Sequence, residues 1–303
     1  MKRILYFFAD LFFNFLSILP KSILYFISDI LFIVIYYFSR YRKKVVFENL
    51  TNSFPNKSKK EIRQIAKKYY HHLCDLVMED GALIKMSKKK ALSFVKFENP
   101  EFLEDYYNQN KNIIMVFGHY GNWEFLASLP LHTKYSFLPV FKKINKDYLN
   151  KSFFKMRSLF GSKPVRMKET LKVTLDYYRR KEPFILGLIA DQRPRKKDVT
   201  YWIKFFNQEA PVFIGPEKIG KRINAAIIFV NIEKEKRGLY NIRFSEITND
   251  AANTKEFEIT NSFFTEMEKQ ITNKPEFWVW SHKRWKYDKV KFMSKLKNSN
   301  ANA

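Results

Sequence analysis

Two short runs of this chain, residues 113–117 and 184–190, contain no polar side chain, and a third, 225–232, is interrupted only by Asn231. Runs of that length are too short for buried helices and lack the alternation of a half-exposed strand. Each therefore reads as a strand covered on both faces. Residues 137–141 read as a further strand, and 240–247 alternate as an antiparallel partner would. Helical periodicity fills the intervals, over about 58–84, 146–160, 169–181, 215–222 and 255–272. The first of these helices opens on Ser58 with Glu61 three residues on, the pattern of a capping box. The 169–181 helix sets Leu171, Leu175 and Tyr178 on one face. Strands alternating with helices make the class α/β, with a mixed, largely parallel sheet flanked by helices.

The first apolar run ends in Gly118-His119-Tyr120-Gly121, so two of the chain's eight glycines bracket a histidine. From Asn122 a helix is expected as far as Pro130, with Asn122 as N-cap and Glu124 in the first turn, where the dipole favours a carboxylate. Within one helix, His119 and Glu124 would point roughly 140° apart. With His119 in the preceding loop and Glu124 on the first turn, they can meet. A carboxylate there would hold the imidazole tautomer and support the imidazolium formed when the ring takes a proton. The other reading is a loop histidine beside a glutamate that merely suits the dipole. Asp191, Gln192 and Arg193 follow the 184–190 run, either as a loop turn or as ligand groups past the carboxyl end of a strand.

Lys and Arg outnumber Asp and Glu by 55 to 30, a formal charge of +25, which attracts nucleic acid, anionic lipid or an acidic carrier protein. Arg193-Pro-Arg-Lys-Lys197 forms a basic loop beside the candidate ligand groups. Hydrophobic residues at 46% exclude a disordered chain. A single cysteine, Cys74, excludes an internal disulfide framework and a cysteine-based zinc cluster, and it reads as a core residue. His71 and His72 are adjacent rather than at metal-ligand spacing and read as a helix-surface pair. There is no phosphate-binding loop and no Gly-x-Ser-x-Gly elbow, so no metal site, nucleotide site or covalent acyl-enzyme is expected.

The N-terminus holds two apolar runs, 4–19 and 23–38, separated by Pro20-Lys21-Ser22 and followed by Arg40-Tyr-Arg-Lys-Lys44. Each is shorter than the roughly 20 residues of a spanning helix, and each carries an acid, Asp10 and Asp29. The second, lengthened to Ser39, is just able to span. A shallow hairpin, one interfacial helix and a pair of core helices are the alternatives. No small-residue cleavage site follows, against a signal peptide. The basic cluster favours attachment on the cytoplasmic side of a membrane with anionic lipid.

Gly-His-Tyr-Gly-Asn-Trp-Glu at 118–124 resembles the His-x4-acid motif of the lysophospholipid acyltransferase superfamily, in the form found in the branch that adds late acyl chains to lipid A. Further blocks carry the same resemblance. They are Tyr-Arg-Lys-x-Val with Asn-Leu and Phe-Pro at 41–55, Ala-Asp-Gln at 190–192, Phe-Phe followed by Pro and Gly-Pro-x-Lys at 205–218, and Pro-x-x-Trp-x-Trp-x-His-x-Arg-Trp-Lys at 275–286. Lys142 stands where the family has Arg after an aromatic residue, which keeps the charge but loses the bidentate fork. Ile214 stands where a small or hydroxylated residue is frequent. In physical terms the tail's Trp and Arg suit a membrane interface or a phosphate-lined mouth, with His282 structural.

The resemblance implies a glycerol-3-phosphate acyltransferase-like fold with an N-terminal membrane-associated helical segment. The expected division is an anchor over 1–45, an acyltransferase domain over 46–290 and a polar, frayed tail over 291–303. It implies transfer of a fatty acyl group from an acyl-carrier-protein thioester to a hydroxyl of a lipid A precursor, at the inner membrane of a bacterium. His119 would be the general base and Glu124 its partner, with Arg157 stabilising the oxyanion and Asp191, Gln192, Lys142 and Arg193 binding substrate. No cofactor is expected beyond the carrier protein as co-substrate; the other partners are a phosphorylated glycolipid and an anionic membrane surface, not nucleic acid. An aminolipid or lysophospholipid acceptor remains open, as does a membrane-tethered basic binding protein without chemistry.

Overall fold

The computed structural model describes residues 2–142 and 147–294. Helices α1 (Lys2–Ile18) and α2 (Lys21–Ile33), the latter continued by a π-helical turn Val34–Ser39, lead to α3 (Lys43–Ser53) and the long α4 (Lys59–Leu83). The chain reverses before α3 through Arg40 and Arg42, both in the left-handed region. Ser58 and Glu61 close the expected capping box at the start of α4. Next come α5 (Lys88–Leu92), β1 (Val95–Phe97), α6 (Phe102–Asn108), β2 (Ile113–Phe117), β3 (Ser136–Phe141), α7 (Asp147–Arg157) and β4 (Val165–Arg166). The rest is α8 (Thr170–Arg179), β5 (Phe184–Ile189), β6 (Tyr201–Phe205), β7 (Gln208–Val212), α9 (Gly215–Ile223), β8 (Ala226–Lys236), β9 (Leu239–Thr248) and α10 (Glu258–Asn273).

Seven strands form one sheet in the order β1-β9-β8-β2-β5-β3-β4, parallel at every step except the β8–β9 hairpin, while β6 and β7 make a separate antiparallel hairpin. The mixed, largely parallel α/β sheet is therefore present, with β2 at its centre between β8 and β5. Every residue of β2 is buried. Ile114 and Val116 face α10 and the C-terminal tryptophans, while Ile113, Met115 and Phe117 face the layer that includes Leu16 of α1 and Leu24 of α2. Burial on both faces is why the run shows no alternation, and each large side chain contributes about 2 kcal/mol relative to exposure. Phe32 of α2 shares a core with Val46 and Leu50 of α3, so the N-terminal helices are built into the same body.

Several local expectations are corrected. The segment after the histidine loop, Trp123–Leu131, is 3-10 rather than α-helical and runs through Pro130. The buried face of α8 is Thr170, Thr174 and Tyr177, leaving Leu171 and Tyr178 exposed. His72 is buried, edge-on to Phe277, with Lys234 Nζ 3.4 Å from its Nδ1; burial, and then the lysine charge, push its pKa well below the ordinary value. Only its neighbour His71 lies near the surface, stacked on Phe32. The expected helix start at Lys146 lies outside the described residues, and so does 295–303 of the expected frayed tail; residues 289–294 are helical.

Candidate active site

Parallel pairing brings the central pair together. Phe117 of β2 is in register with Ile189 of β5, and the Ala190 N–H donates to the Phe117 carbonyl at 3.1 Å, so the ladder continues past both strands. Two residues beyond the last pair, His119 and Asp191 leave the two adjacent strands side by side. His119 Nδ1 lies 2.7 Å from Asp191 Oδ1, and the other carboxylate oxygen accepts from the Trp278 indole N–H at 2.8 Å. Burial alone would raise the Asp191 carboxyl. The imidazole charge, the His119 hydrogen bonds and the Trp278 N–H outweigh it and hold the carboxyl below its ordinary value. An ionised Asp191 only accepts, so Nδ1 donates to it and Nε2 is the ring nitrogen left away from the carboxylate. The Asp191 side chain is 1% exposed and that of His119 22%, a ring open to solvent on one side.

The C-terminal tail fixes the histidine loop. Val279 N–H donates to the His119 carbonyl at 3.2 Å, Gly121 N–H donates to the Phe277 carbonyl at 3.0 Å, and Tyr120 bridges to Trp278. Gly118 lets β2 come close to its neighbours, since a Cβ there would meet the Met267 side chain at 2.3 Å and Asp191 Cβ at 3.3 Å. Gly121 turns with φ +59. Trp123 sets its ring edge-on to His119, 4.8 Å between centroids. The tail was expected at an interface or a phosphate-lined mouth. Instead Trp278, Trp280 and Arg284 are buried, with Arg284 donating to the Pro211 carbonyl at 2.8 Å and lying over the rings of Phe205 and Phe264. His282 is half-buried, and burial lowers its pKa to about 4.

Glu124 takes a different partner from the one expected. Its carboxylate holds Arg157 in a bidentate pair, Nε to Oε2 at 2.8 Å and Nη2 to Oε1, with side chains 6% and 19% exposed. Asn122 caps the 3-10 segment by accepting from the Glu124 N–H at 3.1 Å. That cap turns Glu124 inward toward α7, while register places Asp191 against the imidazole. Beneath the pair lie two further acids. The Asn122 amide donates to Glu79 Oε2 at 2.9 Å and to Asp80 Oδ1 at 3.1 Å. Burial, and then the charges of Glu124 and Glu79, push the Asp80 carboxyl well above its ordinary value. Burial opposes the charge on Arg157, but Glu124 and Asp80 more than compensate and raise its pKa.

The remaining candidates sit at the margin. Gln192 is half-buried, Arg193 donates to the Lys283 carbonyl at 2.9 Å and stacks on Tyr287, and Lys142 is exposed at the end of β3. In the basic loop, Arg195 pairs with Asp198 while Lys196 and Lys197 are exposed. Among the described residues no group of three His, Cys, Asp or Glu side chains is gathered to hold a metal ion. The sequence places Asp191 in substrate binding and Asn122 only at the cap, and it does not point to Glu79, Asp80 or Trp278 as partners in the site. The Trp-x-Trp pair and the Met-Glu-Asp break in an otherwise apolar stretch of α4 were the available signals.

An imidazole with one nitrogen tied to a buried carboxylate can take a proton from a hydroxyl at the other nitrogen, and a half-buried arginine can receive negative charge. Comparison with curated proteins finds no significant match. The family model for bacterial lipid A biosynthesis acyltransferases matches residues 1–287, almost the whole described chain. With that match over the histidine loop, the sheet that carries it and the tail that clamps it, the chain belongs to the bacterial lipid A biosynthesis acyltransferase family.

Proposed function

We propose that this acyltransferase moves a fatty acyl group from an acyl-carrier-protein thioester onto a hydroxyl of a lipid A precursor, with His119 as general base. The observation that carries the reading is the His119–Asp191 bond, which leaves Nε2 as the proton acceptor. Nε2 takes the hydroxyl proton as the oxygen attacks the thioester carbonyl, and the carbonyl electrons move onto oxygen. The C–S bond then breaks, the ester forms, and the imidazolium returns its proton to the departing thiolate. Asp191 stabilises the imidazolium in between. Glu124 engages Nε and Nη2 of Arg157, and the role proposed for the guanidinium is to stabilise the oxyanion through its remaining N–H groups. Glu124 thus acts through Arg157 rather than through the imidazole.

The +25 charge supports an acidic carrier protein as donor and a phosphorylated glycolipid as acceptor. Lys196 and Lys197, exposed on the loop after Asp191, are the proposed docking cations for the carrier, and attachment is to the cytoplasmic face of the inner membrane. Kinetics with carrier-protein and coenzyme A thioesters across a salt series test the donor. The carrier thioester should be used far better, and its kcat/KM should fall steeply with ionic strength. Equal use of acyl-CoA, or a salt-independent kcat/KM, would overturn it.

A further inference from the structure

The stretch Lys21–Ser39 is long and apolar enough to cross a bilayer. Its inner face, however, is tied to the catalytic body along its length by polar bonds. Lys21 Nζ donates to the carbonyls of Ser93 and Gly238, Tyr25 OH to Glu79 Oε1 at 2.6 Å, and Ser28 Oγ to Asp75 Oδ1 at 2.7 Å. Asp29 pairs with Arg237 at the tip of the β8–β9 hairpin, 2.7 Å, and Arg237 also pairs with Asp75. Gly238 has φ +79, and a Cβ there would meet the Tyr25 hydroxyl at 2.7 Å, so tip and helix are in close contact. α1 is tied likewise, Asp10 to Lys85 at 2.6 Å and the Ser17 carbonyl to Lys90. Crossing a bilayer would pull α2 off α4 and leave Glu79 without Tyr25, Asp75 without Ser28 and Arg237 without Asp29, and a buried carboxylate that loses a hydrogen-bond partner is destabilising.

The outer faces carry the opposite chemistry. On α1, Leu11, Phe12, Phe15 and Ile18 are exposed; on α2 and the π turn, Ile23, Phe26, Ile30, Ile33, Tyr37 and Phe38 are. The spacing in each set is that of a single helical stripe. Beside this surface, Tyr36 of the π turn shares a groove of about 460 Å³ with Lys59, Lys60, Arg63, Gln64 and Lys67 of α4. Its lining includes four cations and no acid. Apolar stripes bordered by a cationic groove match the boundary between acyl chains and anionic headgroups.

We infer that α1 and α2 do not span the membrane but lie flat in one leaflet, outer stripes down, with an anionic phospholipid headgroup in the Lys59–Lys60–Arg63–Lys67 groove. This rests on the membrane attachment proposed above and is independent of the acyl-transfer chemistry. Both ends of α2 then stay on the side of the catalytic body, and the site is held at the bilayer surface.

The test uses the full chain with Cys74→Ala and one of Ser22→Cys, Arg40→Cys or Lys197→Cys, labelled with a membrane-impermeant maleimide in sealed vesicles of each orientation. All three positions should label from the same side. Labelling of Ser22→Cys and Arg40→Cys from opposite sides would overturn the flat arrangement while leaving attachment intact. Flotation with phosphatidylcholine vesicles, with and without phosphatidylglycerol, reads the groove. Lys59→Gln, Lys60→Gln, Arg63→Gln and Lys67→Gln combined should lower binding to the anionic vesicles by about ten-fold or more and leave neutral ones little changed. Equal loss on both vesicles, or none, would overturn the headgroup site. No binding of the unsubstituted groove to either vesicle would overturn attachment itself.

Discussion

The imidazole of His119 is held at Nδ1 by Asp191, 72 residues away in sequence and 2.7 Å away in space. The pairing follows from the in-register parallel ladder of β2 and β5, whose last paired residues are Phe117 and Ile189. Any change that slips this register would separate imidazole and carboxylate, so the pair depends on the most deeply buried part of the sheet.

Asp191→Asn should therefore lower kcat by about 10³-fold or more with KM little changed, because an amide can stabilise the wrong tautomer and no longer supports the imidazolium. Trp278→Phe, which removes the N–H donated to Asp191 but keeps a ring against Trp280 and Phe205, should give a smaller loss, about ten-fold. Steady-state kinetics of both variants check the order. A larger effect from Trp278→Phe than from Asp191→Asn would argue against Asp191 as the positioning group.

Glu124→Gln should act on stability as well as rate. It leaves the largely buried Arg157 guanidinium without its counter-charge, which is expected to destabilise the fold by about 3 kcal/mol. Denaturant unfolding should show that loss for Glu124→Gln and a clearly smaller one for a charge-keeping Glu124→Asp. If Glu124→Gln unfolds at the same denaturant concentration as the parent, the ion pair is not formed in solution.

Asp75 gives the acid dependence. Burial favours its neutral form, but Arg237, Lys234 and Ser28 together hold its carboxyl below the ordinary value. A carboxyl lowered in the fold stabilises above its unfolded pKa of about 4, and the stabilisation is lost as pH falls through the folded value. Asp75→Asn should lower stability near neutral pH by about 3–5 kcal/mol, since it leaves Lys234 and Arg237 without that charge. Its unfolding free energy should also fall less steeply with acid than the parent's. Parallel acid profiles for the two proteins would contradict this.

Much of the sheet was legible because burial on both faces leaves a plain mark, an unbroken apolar run such as Ile113–Phe117. The histidine loop was legible from its glycines. The partner of the histidine was not. Sequence spacing favours Glu124, five positions on, whereas Asp191 is reached only through strand register, which no local pattern encodes. The tail was misread for a related reason: Trp and Arg are common both at interfaces and under a loop, and composition does not separate the two. The acids of α4 were hidden because Asp75, Glu79 and Asp80 sit in a stretch whose periodicity is apolar, and their partners, on α2 and the β8–β9 hairpin for Asp75 and Glu79 and at Asn122 for Glu79 and Asp80, are distant in sequence.

The most direct test of the account is acyl transfer by the purified protein, read as the mass of a lipid A precursor incubated with an acyl-carrier-protein thioester. The parent protein should add the mass of one acyl chain. His119→Ala, shown by circular dichroism and unfolding to keep the fold, should add none above background. Transfer by His119→Ala at a rate near the parent's would contradict the assignment of His119 as the base.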